Sequence, residues 1–293
     1  MLKKIKESCE YVSLNSKYVS INYKELDNFI KTIDLNNVTF WLSSNPYELF
    51  DMEIDKIINF MLIYDSINYC FFGNPKWTID TNEGPKDGSD ALLYALLNYV
   101  RSVDKIDFSA ISFNDFSNIL KGNVEIPFLH ERYNTVVSIS NTINKKLNGN
   151  FYNYIKDINN DTELFNIIID NFDSFKDERT YNNKKIYFYK LAQLLTLDIL
   201  HIKELINKIK VDYTHLIGCA DYKIPQTLRA LNILEYNSEL SNIVDNKIMI
   251  NENSKYEVEI RANMIKVIIY INSKLKNTCS IDINDYLFLS SKV

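Results

Sequence analysis

The spacing of apolar residues along the chain predicts a mainly α-helical protein. In residues 187–210, apolar side chains recur at steps of three or four, which places them on one face of a helix. Residues 53–72 repeat this spacing, with Ile54, Ile58 and Met61 on the apolar face. Further helices are predicted at 89–102, 127–147 and 254–275, and a short strand at 246–251.

Local signals predict where three of these helices begin. Ser89 or Asp90 is suited to be the N-cap of the helix at 89–102. Pro127 suits the first turn of the helix at 127–147, because its fixed φ is helical and its missing N–H is not needed there. Ser254 and Glu257 match the S-x-x-E capping box.

The composition supports one helical domain. Six Gly and five Pro, against 20 Tyr and 16 Phe, disfavour a sandwich or barrel with many turns. The two least apolar stretches, 73–90 and 169–185, have the length of loops, and neither has the character of a linker between domains. We therefore expect a single domain over residues 1–293, mainly α with a small β element.

Charge and motif content exclude several classes of protein. A net charge of −5 offers no general attraction for duplex nucleic acid. The four Cys and three His lack the spacing of a metal site, and phosphate-binding glycine loops and a G-x-S-x-G nucleophile motif are absent. No apolar run approaches the roughly 20 residues that span a bilayer. We expect a cytoplasmic protein that requires no cofactor.

Two polar residues interrupt the apolar face predicted at 53–72. Asp65 and Asn68 project from the same side as Ile58 and Met61. Burying an unpaired carboxylate costs several kcal/mol, so Asp65 is paired, protonated or in contact with a ligand cavity. The aromatic residues that follow, Phe71 and Trp77, form either part of the core or a stacking slot for a heterocyclic base.

A second candidate carboxylate lies in "CADYKIPQTLRALNILEY", residues 219–236. Pro225 is suited to the first turn of a new helix, which places Asp221 in the connection before it. Asp221 either accepts hydrogen bonds from nearby amides or faces a cleft, and the pattern alone does not decide between these. Upstream, Asp198 is expected to hold a neighbouring segment and Lys190 to be a solvated surface residue.

Several stretches, in this order, resemble the queuosine salvage proteins, a family of queuosine 5′-phosphate N-glycosylases. "ADYKIPQTLRALNILEY" (220–236) is the most specific of them, and it agrees with "FYKLAQLLTLDIL" (188–200) upstream. The other matching stretches are "DSINYCFFGNPKW" (65–77), "PFLHER" (127–132), "EVEIRA" (257–262) and "DYLF" (285–288).

The resemblance implies a fold related to helix-hairpin-helix DNA glycosylases and the release of queuine from queuosine 5′-monophosphate. It implies that Asp221 is the catalytic carboxylate and that Lys190 is an active-site lysine. A small-molecule substrate is expected, with no stable nucleic-acid complex and no membrane contact. The substrate-binding residues expected on this basis are Asp65, Asn68, Phe71, Trp77, Tyr222, Gln226 and Arg229.

These residue types suit the breaking of an N-glycosidic bond. The transition state carries positive charge on the ribose, as in glycosidases, and a preorganised carboxylate stabilises that charge. Three alternatives stay open: a DNA-repair-type glycosylase, a non-catalytic protein that binds queuine or another nucleobase, and a plain helical scaffold. Acidic net charge disfavours the first, and turnover distinguishes an enzyme from the second.

Overall fold

The computed structural model describes residues 1–35 and 38–290 and confirms that the protein is mainly helical. Within these residues, three short 3₁₀ helices (Trp41–Ser44, Pro46–Asp51 and Asp173–Phe175) accompany the α-helices. The α-helices are α1 (Leu2–Asn15), α2 (Tyr23–Ile30), α3 (Ile54–Ser66), α4 (Gly88–Arg101), α5 (Phe113–Ile119), α6 (Leu129–Lys146), α7 (Phe151–Ile155), α8 (Asp161–Asn171), α9 (Lys190–Asn207), α10 (Lys223–Ala230), α11 (Ser238–Asp245), α12 (Lys255–Lys274) and α13 (Ser280–Ser290).

The β structure consists of antiparallel pairs of short strands. The strands are β1 (Val19–Ile21), β2 (Thr78–Thr81), β3 (Gly84–Asp87), β4 (Glu178–Tyr181), β5 (Lys184–Tyr187) and β6 (Leu234–Tyr236). Strand β1 pairs with β6 across the chain, while β2–β3 and β4–β5 are hairpins. A small β element was therefore correctly expected, but its predicted position is wrong. Residues 248–251 form no strand, and Ile248 and Met249 are largely exposed.

The hairpins correct the assignment of 73–90 and 169–185 to loops. In the second hairpin, Asn182 and Asn183 both have positive φ, 47° and 62°. Asparagine tolerates this left-handed backbone, which a two-residue turn between twisted strands requires. The polar composition of these stretches reflects exposed hairpins, whose short strands bury few side chains.

The core is built from helices that pack along their apolar faces. Helix α3 packs against α9, which also contacts α8, and α12 packs against α1 and α13. The apolar residues Ile58, Met61, Leu195 and Ile199 are fully buried, as their spacing predicts. Among the described residues, none of the helices combines the length and apolar character needed to cross a bilayer.

Three predicted helix starts have different outcomes. Ser254 caps α12 as predicted, since its hydroxyl accepts a hydrogen bond from the Glu257 amide at 3.2 Å. Helix α4 begins at Gly88 with Asp87 as N-cap, so neither Ser89 nor Asp90 is the cap. Pro127 lies before α6, which begins at Leu129.

The helix predicted at 53–72 ends early, at Ser66. The Ile67 and Asn68 amides turn back to the carbonyls of Tyr64 and Asp65 at 3.2 Å, and the Ile67 carbonyl is bound by the buried Arg132 side chain. The prediction that Asn68 lies on the helical face of Asp65 is therefore wrong. Asn68 belongs to the loop that leaves this helix.

Helix α9 begins later than predicted, at Lys190. The preceding Phe188 and Tyr189 amides donate to the Asp177 carbonyl, at 3.0 and 3.2 Å. Tyr189 has a left-handed backbone (φ 50°), which separates β5 from the helix. Lys190 is consequently the first residue of α9 and not a solvated residue on its flank.

Candidate active site

Asp65, at the end of α3, is a fully buried carboxyl group. Neither of its oxygens has a hydrogen-bond partner of good geometry among the described residues. Burial raises the pKa of Asp65 to about 8, although Lys190, Asp198 and Asn68 lie close enough to lower it partly. A buried carboxyl group with free oxygens and a perturbed pKa is typical of a functional site.

Asp198, from α9, is the buried neighbour of Asp65. Its Oδ1 accepts a hydrogen bond from Trp41 Nε1 at 3.0 Å, which confirms the expectation that it holds a neighbouring segment. Burial, followed by the charge of Asp65, raises the pKa of Asp198 well above its ordinary value. Two adjacent buried carboxyl groups do not both ionise, so the pair keeps a proton at neutral pH.

Arg132 shapes the loop that follows α3. Its buried guanidinium donates to the carbonyls of Ile67, Tyr69 and Cys70, and its Nε donates to the Pro127 carbonyl at 2.8 Å. Its guanidinium carbon also lies 4.9 Å from the centroid of the Phe71 ring. The loop is therefore held in one conformation without regular secondary structure.

Phe71 and Trp77 form a stacked pair in this loop. Their ring centroids are 6.2 Å apart and their planes differ by 13°. Trp77 is buried, and its Nε1 donates to the Leu120 carbonyl at 3.1 Å, while Phe71 is only partly buried. Phe71 is therefore the more accessible ring of the pair, and Trp77 supports it from within the protein.

Lys190 is close enough to both candidate carboxylates for its charge to act on them. Its Nζ donates to the Asn68 carbonyl at 2.9 Å, which joins α9 to the loop after α3. Its positive charge lowers the pKa of both Asp65 and Asp221, although burial raises each of them overall. The structure thus places Asp65, Asn68 and Asp221 near Lys190.

Asp221 follows an extended segment that is anchored by buried side chains. Gln193 Oε1 accepts hydrogen bonds from the Ile217 and Gly218 amides, at 2.8 and 3.2 Å. Asn284 Oδ1 accepts a hydrogen bond from the Cys219 amide at 2.9 Å. This segment leads directly into α10, and Pro225 lies in the first turn of that helix as predicted.

The geometry of Asp221 supports both roles considered for it, as an acceptor for nearby amides and as a group that faces a cleft. Its Oδ1 accepts hydrogen bonds from the Lys223 and Ile224 amides, at 3.0 and 3.3 Å, and so caps α10. Its Oδ2 makes no hydrogen bond within the described part of the chain, and the residue is partly exposed. One oxygen therefore fixes the carboxylate, and the other is free to act on a ligand.

The remaining predicted site residues lie on or beside α10. Tyr222 is 39% exposed. Its hydroxyl lies near the Phe71 backbone, and partial burial raises the pKa of this hydroxyl to about 12. Gln226 is exposed. Arg229 forms a bidentate ion pair with Asp245, at 2.8 and 3.2 Å, so its charge is engaged by α11.

Comparison with known proteins decides the family. The family model described as queuosine salvage protein matches residues 47–289, which include every predicted site residue. The chain belongs to the queuosine salvage protein family.

The curated relatives of this chain share the same name. The protein named queuosine 5′-phosphate N-glycosylase/hydrolase from Sphaerobacter thermophilus is 31% identical over 217 residues, covering 72% of this chain and 67% of the relative. Proteins of the same name from Dictyostelium discoideum and Mus musculus are each 24% identical, over 278 and 285 residues. These two alignments cover 90% and 92% of this chain, and 84% of each relative.

In this queuosine salvage protein, sequence reasoning assigned no role to four residues whose side chains link distant segments around the candidate carboxylates. Arg132 and Arg261 lie in the matching stretches "PFLHER" and "EVEIRA", which were the available signal for both. Asp177 lies in a stretch assigned to a loop, and Gln193 lies in the matching stretch "FYKLAQLLTLDIL" without an assigned role. Their roles depend on contacts between segments that are distant in sequence.

Two other features of the described residues stand apart from this site. A surface groove of about 610 Å³, lined by residues such as Ile79, Tyr94 and Tyr99, includes none of the predicted site residues. Asp161, Asp212 and His215 lie close together, as in a metal site. However, Asp161 already accepts hydrogen bonds from the amides of His215 and Leu216, which gives it a structural role.

Replacing Asp65 with Asn is expected to stabilise the protein increasingly as pH rises. A carboxyl group whose folded pKa is about 8, against 3.8 unfolded, binds more protons in the folded state between these values. Wild-type stability therefore falls with pH in this window, by at most about 1.4 kcal/mol per pH unit, and the neutral amide removes this loss. Thermal unfolding at pH 5, 6, 7 and 8 measures the difference between the two proteins.

Asp80→Asn, at an exposed acid on β2, is the control for the loss of one negative charge. A constant difference in Tm between Asp65→Asn and wild type across this pH range would contradict the assignment of Asp65 as a destabilised buried acid.

Proposed function

We propose that this chain is an N-glycosidase that hydrolyses queuosine 5′-monophosphate and releases queuine. The observation that carries this proposal is the convergence of Asp65 and Asp221 near Lys190, with both oxygens of Asp65 and one oxygen of Asp221 unbonded among the described residues. The names of the relatives agree with this chemistry and supply the substrate.

On the ribose side, Asp221 is assigned to the developing positive charge. The C1′–N bond breaks with its electron pair moving to the base, and the ribose becomes an oxocarbenium ion. Asp221 Oδ2 stabilises this charge, since Oδ1 already holds the carboxylate against α10. The departing base takes up a proton from solvent, water adds to C1′ and transfers a proton to Asp221, and Asp221 then returns that proton to solvent.

On the base side, Asp65 is assigned to recognition of the guanine-like edge. With the proton of the carboxyl pair on Asp198, the free oxygens of Asp65 suit the N1–H and 2-amino donors of such a base. Phe71 provides a stacking surface, supported by Trp77. A 7-deaza base lacks the N7 atom that ordinary purine hydrolases protonate, which increases the need for stabilisation of the ribose cation by Asp221.

Lys190 is assigned to the centre of the site. Its charge favours the ionised form of Asp221, which the chemistry requires, and it is a candidate donor to the substrate phosphate. Tyr222 is placed at the rim beside Phe71. Arg229 receives no chemical step, because Asp245 binds its guanidinium. Gln226 is exposed and also receives none.

We also propose a fold relationship for this chain and the kind of molecule that it binds. We assign residues 1–293 to one domain with a fold related to helix-hairpin-helix DNA glycosylases, acting on a free nucleotide and forming no stable nucleic-acid complex. The net charge of −5 supports a small substrate over duplex DNA.

Incubation of the purified protein with queuosine 5′-monophosphate, followed by mass spectrometry of free queuine, tests the proposed function. We expect catalytic release from the 5′-phosphate, with the 3′-phosphate and the free nucleoside as matched comparisons. Stoichiometric queuine binding without turnover would favour the non-catalytic alternative. Base release from damaged duplex DNA, with none from the nucleotide, would favour the DNA-repair alternative.

A further inference from the structure

Arg261, on α12, is joined to the segment that carries Asp221. Its side chain is 11% exposed, and its Nε donates to the Ala220 carbonyl at 2.9 Å. Ala220 directly precedes Asp221, so this bond fixes the peptide from which the carboxylate projects. The Phe188 ring lies 4.0 Å from the guanidinium carbon and restricts its movement.

The same guanidinium is joined to the segment that carries Lys190. Arg261 Nη1 donates to Asp177 Oδ1 at 3.1 Å, and Nη2 donates to Asp177 Oδ2. Asp177 Oδ2 in turn accepts a hydrogen bond from the Lys190 amide at 3.1 Å. A continuous path of hydrogen bonds therefore runs from the Ala220 carbonyl through Arg261 and Asp177 to the Lys190 backbone.

Two further charged residues contact this path without forming part of it. Arg179 Nη1 lies 3.2 Å from Asp177 Oδ1, and Glu257 Oε1 lies 2.7 Å from Arg261 Nη1. Burial alone would raise the pKa of Asp177, but Arg261 and Arg179 hold it below its usual range. Arg179 also pairs with the exposed Glu252 at 2.8 Å, and the bidentate pair between Arg261 and Asp177 fixes their geometry.

We infer that Arg261 and Asp177 are positioning residues that set the separation between Asp221 and Lys190. This inference rests on the proposed function, because it gives the two residues a shared reaction to serve. A displacement of about 1 Å between reacting groups lowers rates by about 10²-fold, which is the effect that such a bridge prevents. Arg261 also contributes a positive charge that lowers the pKa of Asp221.

Arg261→Lys tests the geometric part of this inference, because lysine keeps the charge but lacks the forked donors. We expect kcat for queuine release to fall by about 10–100-fold, with KM changed less than about threefold. The acid limb of the pH profile stays in place, since the charge near Asp221 is retained. Arg261→Gln is expected to show the same fall in kcat and also to move the acid limb to higher pH.

Arg179→Lys is the matched control, since Arg179 binds the same Asp177 and Glu257 but has no bond to Ala220 or Lys190. We expect a loss of Tm comparable with that of Arg261→Lys, and kcat within about threefold of wild type. Asp177→Asn provides a second test if Arg261→Lys does not fold. The Asn variant keeps an oxygen acceptor but loses the ion pair, and the same selective fall in kcat is expected.

Equal losses of kcat in Arg261→Lys and Arg179→Lys, in proportion to their losses of Tm, would overturn the inference. So would an effect of Arg261→Lys on KM alone, or wild-type kinetics in that variant. Failure of the proposed function is a separate result, because the wild-type protein would then release no queuine.

Discussion

Replacing Asp221 with Asn is expected to lower the rate of queuine release by about 10²–10⁴-fold and to leave the fold intact. The Asn oxygen can still accept the hydrogen bonds from the Lys223 and Ile224 amides, so the cap of α10 is preserved. The neutral amide cannot stabilise the ribose cation or take a proton from water. Single-turnover release of queuine, together with Tm, measures both parts of this expectation.

Asp245→Asn is the control for this variant, because it neutralises an acid that binds the exposed face of the same helix through Arg229. We expect near wild-type rates from the control. An Asp221→Asn protein with activity within about threefold of wild type would show that another group supports the reaction.

Replacing Lys190 with Met is expected to lower kcat/KM by about 10²–10³-fold, the effect of removing one preorganised charged donor. The acid limb of the pH profile is also expected to move to higher pH. Burial raises the pKa of Asp221 and Lys190 opposes that rise, so the variant has a still higher Asp221 pKa. Because the ionised carboxylate is the active form, activity is lost at a higher pH as the solution is acidified.

The pH profile of kcat/KM between pH 4 and 9 measures this shift. Lys185→Met, which removes an exposed lysine from the neighbouring strand β5, is the control for the loss of one positive charge. A uniform fall in activity with an unmoved acid limb would contradict the electrostatic link between Lys190 and Asp221.

Several parts of the candidate site could be predicted from the sequence because they depend on neighbouring residues. The apolar spacing in α3 places Asp65 on its buried face, and Pro225 marks the helix that Asp221 precedes. The boundary after α3 could not be predicted in this way. It is decided by Arg132, which binds the Ile67 carbonyl from a helix 65 positions away in sequence.

The position of Lys190 illustrates the same limit. Periodicity alone extends α9 back to residue 187, which makes Lys190 an ordinary flanking lysine. In the structure, the Asp177 carbonyl binds the amides of Phe188 and Tyr189, so the helix begins at Lys190. Its side chain then reaches the Asn68 carbonyl across 122 positions of sequence.

The sequence by itself determined the helical class, the buried position of Asp65, the cap at Ser254 and the connection that carries Asp221. These follow from spacing and capping within a few residues, which act on each segment alone. Only the tertiary structure decided where α3 ends and where α9 begins. It also decided which residues link Asp221 and Lys190, the two candidate catalytic groups. The bond between Arg261 and Asp177 joins residues 84 positions apart, and no local pattern encodes such a pairing.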